Sequence, residues 1–140
     1  MKIQKLVSFL EMYQGRPFET GVNDCALFVS DWVRLLTGHD FAEPFRGKYT
    51  SDLGSARLMK KLGYKDLYDL VASTLDAHGA KRASPMLAQR GDVVWAKHRE
   101  TYLCGIALAD GVAAIGHDGL LSLPISSIQE AWCIDGEVTE

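Results

Sequence analysis

Residues 91–115 read GDVVWAKHRETYLCGIALADGVAAI, and their pattern decides the fold class. Asp92 to Lys97 is a short apolar run with two valines and a tryptophan, which predicts a strand. His98 to Thr101 supplies a turn, and Tyr102 to Ala109 reads as a second strand. Asp110-Gly111 is a dipeptide that favours a tight hairpin, with Val112 to Ile115 as the third strand. Beyond it, Gly116 to Gly119 turns the chain into a fourth strand, Leu120 to Leu123, and Ala131 to Ile134 fits a short last one. Short turns join strands that run antiparallel, so this half reads as a meander.

The half before Gly91 has the other period. Ile3, Leu6, Phe9, Leu10 and Tyr13 make one apolar face from Lys2 to Tyr13, ended by Gly15, Arg16 and Pro17. Cys25, Phe28, Val29, Trp32, Val33 and Leu36 form a second apolar stripe, stopped by Gly38. Asn23 or Asp24 can cap that helix. His39 to Thr50 reads as a loop, and helices are predicted from about Leu53 to Leu62 and from Asp66 to about His78. Helices followed by an antiparallel sheet mean an α+β fold, with N-terminal helices packed on a C-terminal β-meander.

The chain has 140 residues, room for one domain spanning 1–140. Hydrophobic residues make 47% and charged residues 24%, which excludes a disordered or coiled-coil chain. The net charge of −3 gives no reason to expect nucleic-acid binding. The longest apolar run, Tyr102 to Ala109, is too short to cross a membrane. Leu6 to Leu10 is too short an apolar core for a signal peptide, so synthesis in the cytoplasm without an export signal is expected. Arg46, Lys48, Arg57, Lys60, Lys61 and Lys65 make the middle region basic. A solvated face is the plain reading, and a surface for an acidic partner the sharper one.

Cys25, Cys104 and Cys133 are 79 and 29 residues apart, an odd count with no metal-type spacing. No cofactor is expected. Cys25 falls in the first turn of the second predicted helix, beside unpaired backbone N–H groups and the positive end of the helix dipole. That environment lowers a thiol pKa, as a nucleophile requires. The plainer reading is a small buried apolar residue. Asp24 suits the cap, and its charge slightly opposes a thiolate.

Asn23-Asp24-Cys25-Ala26-Leu27-Phe28 resembles the D-C-[SA] helix of the NlpC-type peptidases. These are papain-like cysteine hydrolases that cut the peptide stems of bacterial cell walls. Gly91-Asp92-Val93 resembles the G-D-[LV] strand of that family, and Gly105 to Gly111 its later G-I-x-L-x-x-G hairpin. The chain looks closer still to small phage and prophage proteins related to that superfamily. They share a P-F-x-x-G-x-x-D-C start, here Pro17-Phe18, Gly21 and Asp24-Cys25, and a late A-W, here Ala131-Trp132. The resemblance implies a papain-like, NlpC-like fold and a gene among those for phage tails.

The same resemblance implies a base histidine two residues before Gly105, where this chain has Leu103. Leucine takes no proton. Loss of one member of a catalytic unit costs about 10⁴- to 10⁶-fold in rate, and a helix dipole of about 1 kcal/mol recovers about fivefold. The candidate catalytic residues are Cys25 and His117, the latter near the family's third polar position, with His98 as another candidate base. Three readings follow. The first is a phage tail-tip (baseplate) component or tail-assembly protein with a degraded site. It would be carried in the virion and partner other tail-tip proteins, such as hub or fibre-bearing ones. The second is an active peptidoglycan peptidase or amidase using Cys25. The third is a module that binds wall peptides without cutting them, suggested by the basic region and Trp95.

Overall fold

The computed structural model describes residues 2–19, 21, 23–116 and 119–134. Helix α1, Lys2–Tyr13, buries Leu6, Phe9 and Tyr13 of the predicted face, whereas Ile3 in its first turn is exposed. Helix α2, Cys25–Thr37, starts at the Asp24 cap and ends at Gly38, whose left-handed φ of 84° closes it. Helices α3, Asp52–Lys61, and α4, Leu67–His78, begin at Ser51 and Asp66, whose side chains accept backbone N–H bonds from Gly54 and Asp69.

Six strands follow: β1 Ala80–Lys81, β2 Val93–His98, β3 Thr101–Ala107, β4 Val112–Gly116, β5 Gly119–Leu123 and β6 Ile128–Cys133. They form one antiparallel sheet, so the α+β reading holds. Strands β2 to β5 are the expected meander. The last strand departs from it: the order is β1-β6-β2-β3-β4-β5, with β6 returning to lie between β1 and β2. Register slips between Trp95 and Ala96, where β2 meets β6.

Strand alternation divides the buried side chains in two. Val93, Trp95, Cys104, Ile106, Ala113, Ile115 and Trp132 join residues of α1, α2 and α4 in the main core. Phe28, Trp32 and Trp132 are fully buried there. Val94, Ala96, Leu103, Val112, Ala114 and Ala131 belong to a second apolar cluster. Trp32 ties helix to sheet, because its indole N–H donates to the Gly91 carbonyl at 2.8 Å.

Asp92 is fully buried just before β2. Arg82 Nε and Nη2 donate to its two oxygens at 2.8 and 3.0 Å, and the Gln89 N–H adds a third bond at 2.9 Å. The Gly-Asp-Val motif at 91–93 therefore serves the fold, since its carboxylate clamps the connection between β1 and β2. A planar guanidinium meeting a carboxylate with two bonds is the geometry that makes such burial tolerable.

Candidate functional site

The segment ahead of α2 is a tight reversal. Glu19 and Asn23 exchange backbone hydrogen bonds of 3.0 and 2.7 Å around Gly21. Gly21 has φ of 87°, and a Cβ placed on it would collide with the Tyr49 carbonyl oxygen. Both facts require glycine, which explains the glycine of the P-F-x-x-G-x-x-D-C pattern. Of the two candidate caps, Asp24 takes the role. Asn23 instead donates from its side chain to the Pro17 carbonyl at 2.7 Å.

Asp24 does more than cap. Its Oδ1 accepts the Leu27 N–H at 3.0 Å, and its Oδ2 accepts the Gly21 N–H at 3.0 Å and the Tyr49 hydroxyl at 2.6 Å. One buried carboxylate thus joins the reversal, the helix and the loop after α2. Burial, and then the bond to Asp24, push the Tyr49 pKa far above its ordinary value. The same loop is held at its other side by Arg46, which pairs with Asp40 at 2.8 Å and with Asp31. Arg46 is therefore drawn out of the basic region, while Lys48, Arg57, Lys60, Lys61 and Lys65 stay exposed.

Cys25 is the first residue of α2, as predicted, and is half-buried. Cys104 is fully buried on β3 beside it, and its Sγ lies 3.4 Å from the Cys25 carbonyl oxygen. The neighbouring Cys104 thiol is the main cause that lowers the Cys25 pKa. Burial opposes it. The backbone N–H groups of Cys104 and Ala26 lower the value further, and the Asp24 charge raises it. Cys104 moves the other way. Its bond to Cys25 and its burial raise its pKa well above the ordinary thiol value. Cys25 is thus the thiol that ionises, and Cys104 the one that keeps its proton and donates.

A cleft of about 240 Å³ opens at Cys25, lined by Asp24, Tyr49, Asp52, Ser55, Met59 and Leu67. Tyr49, Ser55, Met59 and Leu67 also wall a small apolar cavity of about 60 Å³ beneath α2, which Cys104 lines as well. On the sheet next to Cys104, Trp95 lies between Tyr68 and Tyr102, with ring centroids 5.3 and 6.1 Å away. Trp95 itself is buried, so Tyr102 presents the outward face of this aromatic row.

His117 lies outside the described residues. His98 ends β2 and belongs to the hairpin with Thr101, whose hydroxyl donates to the His98 carbonyl at 3.0 Å. His39 and His78 are exposed and flank Phe41. Leu103 belongs to the second apolar cluster, and its neighbour Cys104 is the β3 residue that meets Cys25. The cysteine spacing gave no contact for Cys104, and Tyr49 carried no signal, because it sits in a loop with no periodic pattern. Among the described residues, no group of three or more His, Cys, Asp or Glu side chains could hold a metal ion. No helix there is long and apolar enough to cross a membrane.

A family match runs over residues 2–134, from the start of α1 to the residue after β6. The chain belongs to the DUF6950 family. The family is described as a domain of unknown function. No curated protein matches the chain. In this DUF6950 domain, all four helices and all six strands fall within the matched span, and so do Cys25, Cys104, Asp24 and Tyr49.

Proposed function

We propose that the protein is a phage tail-tip component, or a tail-assembly factor, built on an NlpC-like hydrolase scaffold that docks rather than hydrolyses. The observation that carries this reading is the group facing Cys25. A papain-like nucleophile needs a base that takes its proton and later returns it to the leaving amine. Cys104 stands there instead, a thiol whose raised pKa makes it a donor. It stabilises a thiolate and removes no proton from a substrate or water. The order of motifs and the helices-then-sheet layout are consistent with descent from the hydrolase scaffold. The partners would be other tail-tip proteins, hub or fibre-bearing, and the site of action the virion. The test is co-expression with the tail-tip proteins encoded beside this chain. Stable co-purification supports the reading, and a chain that stays monomeric and is absent from assembled tails refutes it.

A second reading is favoured by the lowered Cys25 pKa: a cell-wall cysteine peptidase or amidase with Cys25 as nucleophile and His117 as base. It predicts new amino groups released from purified peptidoglycan, abolished by Cys25→Ala and by His117→Ala. No release above the Cys25→Ala background removes it.

A further inference from the structure

We propose that Cys25 and Cys104 are a peroxide-responsive dithiol, with Cys25 the thiol oxidised first and Cys104 the thiol that resolves it into an intramolecular disulfide. This does not rest on the proposed function, since it needs neither a base nor a partner. Three observations carry it. The Cys104 sulfur already touches Cys25, with its thiol donating to that residue's carbonyl oxygen at 3.4 Å. Cys25 opens onto the cleft, whereas Cys104 is sealed beneath it. The third cysteine, Cys133, lines a different cleft with Arg82 and Gln89.

The chemistry balances. The Cys25 thiolate attacks one oxygen of hydrogen peroxide, the O–O bond breaks, and the departing hydroxide takes a proton to become water. Cys25 is then a sulfenic acid. The Cys104 sulfur attacks the Cys25 sulfur, an S–S bond forms and the S–O bond breaks. The leaving hydroxide takes the Cys104 proton as a second water. Each cysteine loses one electron and the peroxide gains two. The asymmetry of the pair suits the two roles, because the more ionised thiol attacks and the protonated one waits. The bond would fix the start of α2 to the middle of β3 and close the floor of the cleft.

The test uses the full chain, reduced and then exposed to equimolar hydrogen peroxide, with thiol counting and a non-reducing peptide map. The expected result is a fall from three free thiols to one, a cross-linked pair of peptides containing Cys25 and Cys104, and reversal by dithiothreitol. Cys133→Ser should behave as the parent. Cys25→Ser should lose thiols about tenfold more slowly, because the reactive thiolate is gone. Cys104→Ser should leave a sulfenic acid at Cys25 that dimedone traps. If Cys104→Ser does not fold, the peptide map of the parent chain decides. Three thiols surviving the peroxide, or a cross-link through Cys133, overturns the proposal.

Discussion

Replacing Asp24 by alanine removes three hydrogen bonds from one buried point. The cap to Leu27 is worth about 1 kcal/mol. The Gly21 N–H and the Tyr49 hydroxyl would each lose a buried charged acceptor, at about 1–2 kcal/mol apiece. The expected loss is about 3–5 kcal/mol, a large part of the 5–15 kcal/mol that holds a typical domain together. For a chain of this length that lowers Tm by about 10–15 °C. Asp24→Asn should cost less, about 1–2 kcal/mol, since its carbonyl oxygen can still cap α2. It should also change Cys25 in the opposite sense to stability. The Asp24 charge raises the Cys25 pKa, so removing the charge should make that thiol more acidic. Thermal melts give the first quantity, and the pH dependence of Cys25 alkylation gives the second. A loss in Asp24→Ala below about 1 kcal/mol would mean that only an ordinary exposed cap was present, and that the junction is not a hub. A Cys25 pKa that stays put or rises in Asp24→Asn would refute the electrostatic argument.

Cys104→Ala removes the principal cause of the lowered Cys25 pKa, so the midpoint of Cys25 alkylation should move to higher pH; an unmoved midpoint would mean that the thiol pair does not couple. Arg82→Ala strands the Asp92 carboxylate, which has no exposed surface, and should cost about 3 kcal/mol in chemical denaturation. Adding Asp92→Asn to that variant should restore part of the loss, and no recovery would point to lost packing instead. Tyr13 and Tyr49 have pKa values raised first by burial and then by Asp31 and Asp24. Their folded values lie above the unfolded value of about 10, so the stability they contribute is complete below that pH and declines as pH rises beyond it. Ultraviolet titration should show both tyrosines ionising only as the protein unfolds at alkaline pH; ionisation of all five near the ordinary value would contradict their burial.

Much of the fold was legible because local rules determined it. The 3.6-residue stripe of α2 and its cap at Asn23 or Asp24, most of the face of α1, and the short apolar runs of β2 and β3 follow from neighbours in sequence. The beginning of β6 was missed because Gln129 and Glu130 are two consecutive polar residues, which look like loop when only Ala131 to Ile134 is apolar. Its place between β1 and β2 depends on pairing such as Ala80 with Cys133, which no local pattern encodes. The site was legible at Cys25 for the same local reason. Tyr49 was not, because its role depends on a loop folding back to reach a carboxylate 25 residues away. Nor was the contact of Cys104 with Cys25, since strand alternation assigns a face while contact needs the helix above it.

The interior position of β6 has a consequence for how the chain reaches its final shape. Strands β2 to β5 can pair as each hairpin is made, but β1 has nothing to pair with until β6 arrives, 53 positions after Ala80 in the Ala80–Cys133 pair. Until then one side of β2 stays bare, and the main core lacks Trp132, whose indole N–H donates to Asp76 at 2.8 Å. Such distant pairings are reached slowly, because the intervening chain must be ordered before they give anything back. In the finished sheet, residues 128–133 are the seam through which the α4–β1 segment is joined to the hairpins.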